Sequence, residues 1–297
     1  MAFRAPDHKE IERAIGNEPG LPLFLRRALT PGDDFEPIPL PHPGDWLSVQ
    51  QEPGQGFHEF VASHPRKPDG RKRRIYLTPL GEFPDESGPS LQMLKDCAEA
   101  YFMMDVRVTP QVDVNPGRFT SRINPVTQNF QVLSLDVLVY LRQHMPKDAF
   151  CTLAFTMEDL YPEENWNFVF GQASLNTGVG VFSFARYDPA FYGHARKEGY
   201  RPLLNMRCCK VLVHEIAHMF SLAHCTFFHC LMNGSNHLAE SDARPMHLCP
   251  VCLHKLQYSI GFNVMECYQK IFHFHRNYGF DREAQWVSRR LEYILGT

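Results

Sequence analysis

The segment His214-Glu215-Ile216-Ala217-His218, with His224 six residues further on and Cys225 directly after it, gathers three imidazoles and a carboxylate at spacings suited to metal chemistry. On a helix His214 and His218 lie one turn apart, so both rings project from one face and can grip a single ion. Glu215 stands on the adjacent side, within reach of a water on that ion. Its expected role is general base: it takes a proton from the water as the water attacks a carbonyl, then passes that proton to the leaving amine. Zinc suits these donors, lowering the pKa of such a water toward about 7 and polarising the carbonyl. With histidine at 15 of 297 positions, H-E-x-x-H arises by chance in roughly 4% of such chains, and the third histidine lowers that about twentyfold.

His224 cannot reach the ion from a continuing helix, where six residues would leave it about 120° away and roughly 9 Å further along the axis. The chain must therefore turn back after His218. A glycine three residues later would permit this through a left-handed conformation. Ser221 stands there instead, and a side chain in that conformation costs roughly 1–2 kcal/mol.

A second donor set begins at the next residue: Cys225-x4-Cys230, then Cys249-Pro250-Val251-Cys252. Four thiolates close a tetrahedral zinc site and leave no position for water, so this ion is expected to be structural. The adjacency of His224 and Cys225 keeps the two ions within about 15 Å of each other. Thiolates are the softer ligands, so His229, His237, His247 and His254 are expected at the surface or as supporting groups. Met232, two residues after Cys230, is either an apolar floor beneath the first metal or a core methionine. Cys97, Cys151, Cys208, Cys209 and Cys267 sit among apolar residues and read as small core side chains.

These groups must be carried by a regular framework. The first metal helix is expected to start near Leu203, with Val211, Leu212, Ile216, Met219 and Phe220 as its buried stripe. Upstream, strands are expected at 75–77, 106–108, 130–132 and 150–155, with helices over 90–104 and 135–144 between them, a layered α/β pattern. Two alternating segments, 167–173 and 180–187, read as neighbouring strands joined by Asn176-Thr177-Gly178. An edge strand beside a metal can align an extended peptide through backbone bonds. Downstream, 260–275 and 281–295 read as closing amphipathic helices. Residues 1–70 carry short amphipathic stretches, 9–15 and 21–29, and the proline-rich run 37–43. They read as an N-terminal extension on a main domain of 71–297.

The chain as a whole sets bounds. A net charge of −3 gives no push toward nucleic acid or an anionic membrane. The basic run 66–74 reads first as a solvated linker and second as a nuclear-import signal. The first 20 residues lack the apolar core of a secretion signal, and no run of 18 apolar residues occurs. The expected setting is intracellular, cytoplasmic or nuclear, with thiols kept for metal rather than disulfides.

The string His214-Glu215-x-x-His218, His224-Cys225, Cys230-x-Met232, Cys249-x-x-Cys252 and Lys255-Leu256, with segments 167–173 and 183–187, resembles the archaemetzincins, a branch of the metzincin zinc peptidases, over about residues 90–260. The resemblance implies an α/β (α+β) two-lobed peptidase with a mixed twisted sheet, an active-site helix and a helical C-terminal subdomain. It implies a catalytic zinc on His214, His218 and His224, Glu215 as base, a structural zinc on Cys225, Cys230, Cys249 and Cys252, and Met232 beneath the metal. The family has glycine where this chain has Ser221, and often where it has Ala217. The function expected is a zinc metallopeptidase acting on peptides or small proteins, monomeric by default. The alternative is a catalytically weak or inactive zinc-stabilised scaffold. Arg186, Tyr187, His254 and Lys255 are the candidates for stabilising the oxyanion.

Overall fold

The structure, a computed structural model, describes residues 3–84, 88–174 and 176–296. The outermost residues of the two expected domain ranges, 1–2 and 297, lie outside it. The chain forms two compact units, one of residues 68–99 and 104–219, the other of 1–67, 100–103 and 220–297.

The first of these is built on strands β1 (Arg74–Leu80), β2 (Asp105–Val108), β3 (Ser121–Ile123), β4 (Phe130–Leu133), β5 (Ala149–Thr156), β6 (Asp159–Tyr161), β7 (Gly171–Ser174) and β8 (Val179–Ser183). Five of them make a mixed sheet in the order β2-β1-β5-β8-β7, parallel except for β7, which runs antiparallel to β8 at the edge. Every residue of β5 is buried, which is why Phe150 to Phe155 reads as an apolar run with only Thr152 in it rather than as an alternation. The remaining three strands form the sheet β3-β4-β6. Helix Ser134–Gln143 carries Val137, Leu138 and Leu141 into a core with Leu80, Phe119, Val132, Leu160, Val179 and Val181.

The expected strands over 167–173 and 180–187 are shorter than their apolar patterns. Ser183 ends β8: its hydroxyl donates to the Glu158 carbonyl (2.5 Å) and accepts from the Ala185 amide (3.0 Å), starting a 3-10 turn, Ala185–Tyr187. Phe168, Phe170 and Tyr187 still bury aromatic surface, but against one another and the Arg186 guanidinium. The long helix starts at Tyr200, before the expected Leu203, because Pro202 falls in its first turn, where no amide partner is needed.

In the second unit, helices His8–Ile15 and Leu23–Leu29 match the amphipathic stretches near the N-terminus. The C-terminus of Leu23–Leu29 is tied to helix Asp281–Leu295. Arg290, with no exposed surface, donates to the carbonyls of Arg27, Ala28, Thr30 and Pro31 and pairs with Asp34. Arg27 returns bonds to the carbonyls of Ile294 and Leu295. Each guanidinium thus satisfies carbonyls left open at the other helix's C-terminus. The expected helix over 260–275 is present as Val264–Asn277, and its expected first residue, Ile260, is the last of another helix. Gly261 (φ 79°) ends helix Pro250–Ile260 in a left-handed cap, and Asn263 caps helix Val264–Asn277 by accepting from the Met265 and Glu266 amides. No helix among the described residues is long and apolar enough to cross a membrane.

Candidate metal centre

Helix Tyr200–Met219 buries Val211, Leu212, Ile216 and Met219, and that stripe fixes which way the histidine face points. His214 is buried and His218 half-buried, their Nε2 atoms 3.0 Å apart and their rings nearly perpendicular at 87°. Glu215 between them is half-buried. The end of the helix lies close against the sheet. A Cβ at Gly180 of β8 would meet the Met219 Cε at 3.0 Å and Ala173 of β7 at 3.6 Å. A side chain at 180 would make the Met219 terminal methyl shift by a few tenths of an ångström.

After Met219 the chain reverses at Ser221, whose φ of 68° is the left-handed conformation that its place in the motif requires. The turn is held from outside. The Gln55 amide donates to the Ser221 carbonyl (3.2 Å) and accepts from the Ala223 amide (3.0 Å), while the Ser221 hydroxyl accepts from the Arg66 amide (3.3 Å). Three such bonds at about 1 kcal/mol each are enough to offset the roughly 1–2 kcal/mol of a left-handed serine. The reversal brings His224 back, and one ring nitrogen from each of His214, His218 and His224 lies within 4.8 Å of the others. Three neutral imidazoles at this separation fit one zinc ion with a coordination position left open.

The His224 ring has its own setting. Nδ1 is 2.7 Å from Glu52 Oε1, and the Trp46 ring meets it edge-on at 5.0 Å. Neither Glu52, Gln55 nor Trp46 was singled out from the sequence. They lie 172 residues from His224 in the case of Glu52, in a polar run with no periodicity to mark it.

The four thiols are also gathered: Cys225, Cys230, Cys249 and Cys252 are fully buried, with their sulfurs within 4.8 Å of one another. Cys225 and Cys249 approach to 3.5 Å, too far for a disulfide, and all nine cysteines are free. Backbone amides of Met232 (3.4 Å) and Cys249 (3.2 Å) donate to the Cys230 sulfur, and Asn233 binds the Cys230 amide and the Cys225 and Phe228 carbonyls. Burial alone raises a thiol's pKa. At Cys225, hydrogen bonds with the other three thiols and the Lys255 ammonium outweigh it and hold the group well below its ordinary value. Cys249 is pushed well above the ordinary range by burial, and Cys252 by its hydrogen bonds with Cys225 and Cys230. A dication among the four sulfurs would let all of them ionise together. Met232 is fully buried, its carbonyl accepting from the Cys225 amide (2.8 Å).

The other candidates have these settings. Arg186 is buried in a two-point ion pair with Asp159 (2.8 Å each). His254 is buried rather than at the surface, stacked on Phe57 at 3.5 Å, with Nδ1 2.7 Å from the Ile15 carbonyl. Lys255 is buried and donates to Gln55 (3.1 Å). Tyr187 is buried, its carbonyl accepting from Arg207 (2.8 Å). His247 stacks on Trp286 at 3.8 Å. A third acid–histidine group, Asp45, His237 and Glu240, is a latch. Asp45 binds His237 and the His42 amide, and Glu240 accepts from the Trp46 and Asn236 amides.

A helix bearing two histidines and a glutamate, with a third histidine folded back onto them, defines the class of zinc-dependent peptidases. Comparison with known proteins narrows this. The model of Peptidase family M54 matches residues 110–258. Human archaemetzincin-2 is 40% identical, with 84% of this chain and 77% of that one covered. Human archaemetzincin-1 is 34% identical over 84% and 56% respectively. Among solved structures, the archaemetzincin of Archaeoglobus fulgidus is 27% identical, covering 61% of this chain and 99% of its own, with a TM-score of 0.46. That of Methanopyrus kandleri is also 27% identical, covering 65% and 97%, with a TM-score of 0.47. The chain belongs to the archaemetzincin family and is a zinc metallopeptidase, a hydrolase of peptide substrates.

Proposed function

We propose that the chain cleaves peptide bonds at a zinc held by His214, His218 and His224, with Glu215 as general base, and that a second, structural zinc is held by Cys225, Cys230, Cys249 and Cys252. The observation that carries this reading is the convergence of the three imidazoles along the segment 214–224, with Glu215 between the first two. A zinc ion there supplies a Lewis acid that acidifies a water and polarises the scissile carbonyl. Glu215 accepts the proton of the attacking water as its oxygen bonds to the carbonyl carbon, and delivers that proton to the leaving amine nitrogen. β7 has β8 as its one strand partner among the described residues, and its free edge suits an extended peptide backbone. Met232 supports the centre from its buried turn. Residues 1–70 serve as an extension to the catalytic domain of 71–297, a reading supported by the bonds from Glu52 and Gln55 to the His224 region. Nine free thiols favour a reducing, intracellular setting, and the working unit is a monomer.

Cleavage of a broad peptide library by wild type and Glu215→Ala, with zinc counted in both, tests the reading. The variant should keep its metal and lose on the order of 10²–10⁴-fold in rate. Equal cleavage by the two, or none by either at full zinc loading, would overturn it, the second result favouring a scaffold.

A further inference from the structure

We propose that Glu52 is a positioning residue for the metal centre: its carboxylate fixes the tautomer and orientation of His224, and residues 45–55 form a strap that carries it there. The inference rests on the reading of His224 as a zinc ligand. An ionised carboxylate only accepts hydrogen bonds, so with Glu52 ionised the 2.7 Å contact to its Oε1 is made by a proton on His224 Nδ1. Nε2 is then left with its lone pair, the form a metal requires. The carboxylate also makes the imidazole more basic toward an ion on its far side, and such partners hold ligand rings in register.

The strap is seated at both ends. At one end Asp45 binds His237 (3.0 Å), and the Trp46 amide donates to Glu240 (2.8 Å). The Trp46 ring lies so close over Gly234 that any Cβ there would run into it. At the other end Gly54 has a φ of 79°, and a Cβ on it would meet Thr226 Oγ1 at 2.6 Å. Gln55 next to it grips both sides of the Ser221 turn. Between these anchors Glu52 meets Nδ1 and Trp46 meets the ring edge. One contact sets the ring's proton, the other its rotation, and Gln55 sets the backbone from which it hangs.

The closing experiment measures zinc affinity at the histidine site by chelator competition, the zinc count per chain, and the visible spectrum after cobalt substitution at that site. Full-length wild type, Glu52→Gln, Glu52→Ala and His224→Ala are compared. Glu52→Ala should weaken zinc at this site by about 10–100-fold and alter the cobalt spectrum. Glu52→Gln, which keeps an acceptor and its shape, should fall between it and wild type. The four-cysteine zinc should be retained in both. If Glu52→Ala and Glu52→Gln bind zinc as wild type does while His224→Ala loses it, the role of Glu52 is wrong and the ligand assignment stands. If His224→Ala also binds normally, the ligand assignment fails and takes this inference with it. Tighter zinc in Glu52→Ala would mean that the carboxylate competes with the metal, which overturns the proposal too.

Discussion

The two donor sets begin within one chain reversal of each other, yet they are built in opposite ways. The thiols are sealed: all four are buried, and backbone amides and Asn233 bind the loops that carry them. The histidines are partly open. His214 is buried, His218 and His224 are partly exposed, and the third is held by side chains from a distant strap. A closed set of four soft donors can only stabilise a fold, whereas three nitrogens with an open side can admit a water and a substrate. On the proposed reading, one metal region is paid for by burial and the other by orientation, and substitutions should separate the two.

The largest expected effect is at the sealed set. On the proposed reading Cys249 is a ligand; it precedes the first turn of helix Pro250–Ile260, and its amide donates to the Cys230 sulfur. Cys249→Ser should lose one zinc and lower the melting temperature by roughly 10 °C or more, since structural zinc binding is folding free energy. Calorimetry with a metal count checks this. A variant that kept both zincs and the wild-type melting point would reduce the four thiols to ordinary core, and the comparison would break on that side.

The same contrast explains what could be read from the residues alone. His214 and His218 share a helix face by local spacing, and Cys249-x-x-Cys252 declares itself by a short loop, so both sets were legible. So was the need for a left-handed turn at Ser221, because helix geometry rules out a straight path to His224. Glu52, Gln55 and Trp46 were not legible: their roles arise from tertiary contacts across more than half the chain, and nothing in Gln50-Gln51-Glu52-Pro53-Gly54-Gln55 has a period. Apolar content also overran element ends. Ile260 closes the preceding helix at Gly261, so the helix expected over 260–275 starts only at Val264, and aromatic residues after Ser183 continue the pattern of a strand that has already stopped.

Histidines outside both sets sharpen the comparison by pH. Burial pushes His275 down to about 4, where its Nε2 meets the Tyr101 hydroxyl, and pushes His247, stacked on Trp286, down to about 3. Unfolded, both would titrate near 6.5. Between those limits the unfolded chain binds more protons than the folded one. The neutral histidines therefore cost nothing above about pH 6.5, and stability falls as pH drops from there toward 4. For His275 the loss should reach about 2 kcal/mol by pH 5. Thiolates at the sealed set also take up protons on acidification, so the measurement is a difference: the pH dependence of unfolding free energy in His275→Gln against wild type. The variant should show the shallower slope, by up to one proton between pH 6 and 5. An unchanged slope would mean that His275 is charged in the fold, and the acid sensitivity would then lie with His247 and the metal regions.

The smallest effect probes the joint between the two regions. Ser221→Gly relieves roughly 1–2 kcal/mol of left-handed strain but adds about 0.5–1 kcal/mol of chain entropy to the unfolded state. It also removes the hydroxyl that accepts from the Arg66 amide at 3.3 Å, a long bond worth less than about 1 kcal/mol. These contributions nearly cancel, so the variant should lie within about 1 kcal/mol of wild type, on the stable side if the Arg66 bond is weak. Ser221→Ala keeps the strain and loses the hydroxyl, and should be the less stable of the two. Denaturant midpoints of the three proteins, with zinc affinity at the histidine site measured alongside, give the ordering. Gln55 bonds backbone groups on both sides of the turn, so zinc affinity should be the same in serine and glycine forms. A glycine variant that folded normally but bound zinc weakly would show that the strained serine itself aims His224, and the strap's share in orienting the open site would shrink accordingly.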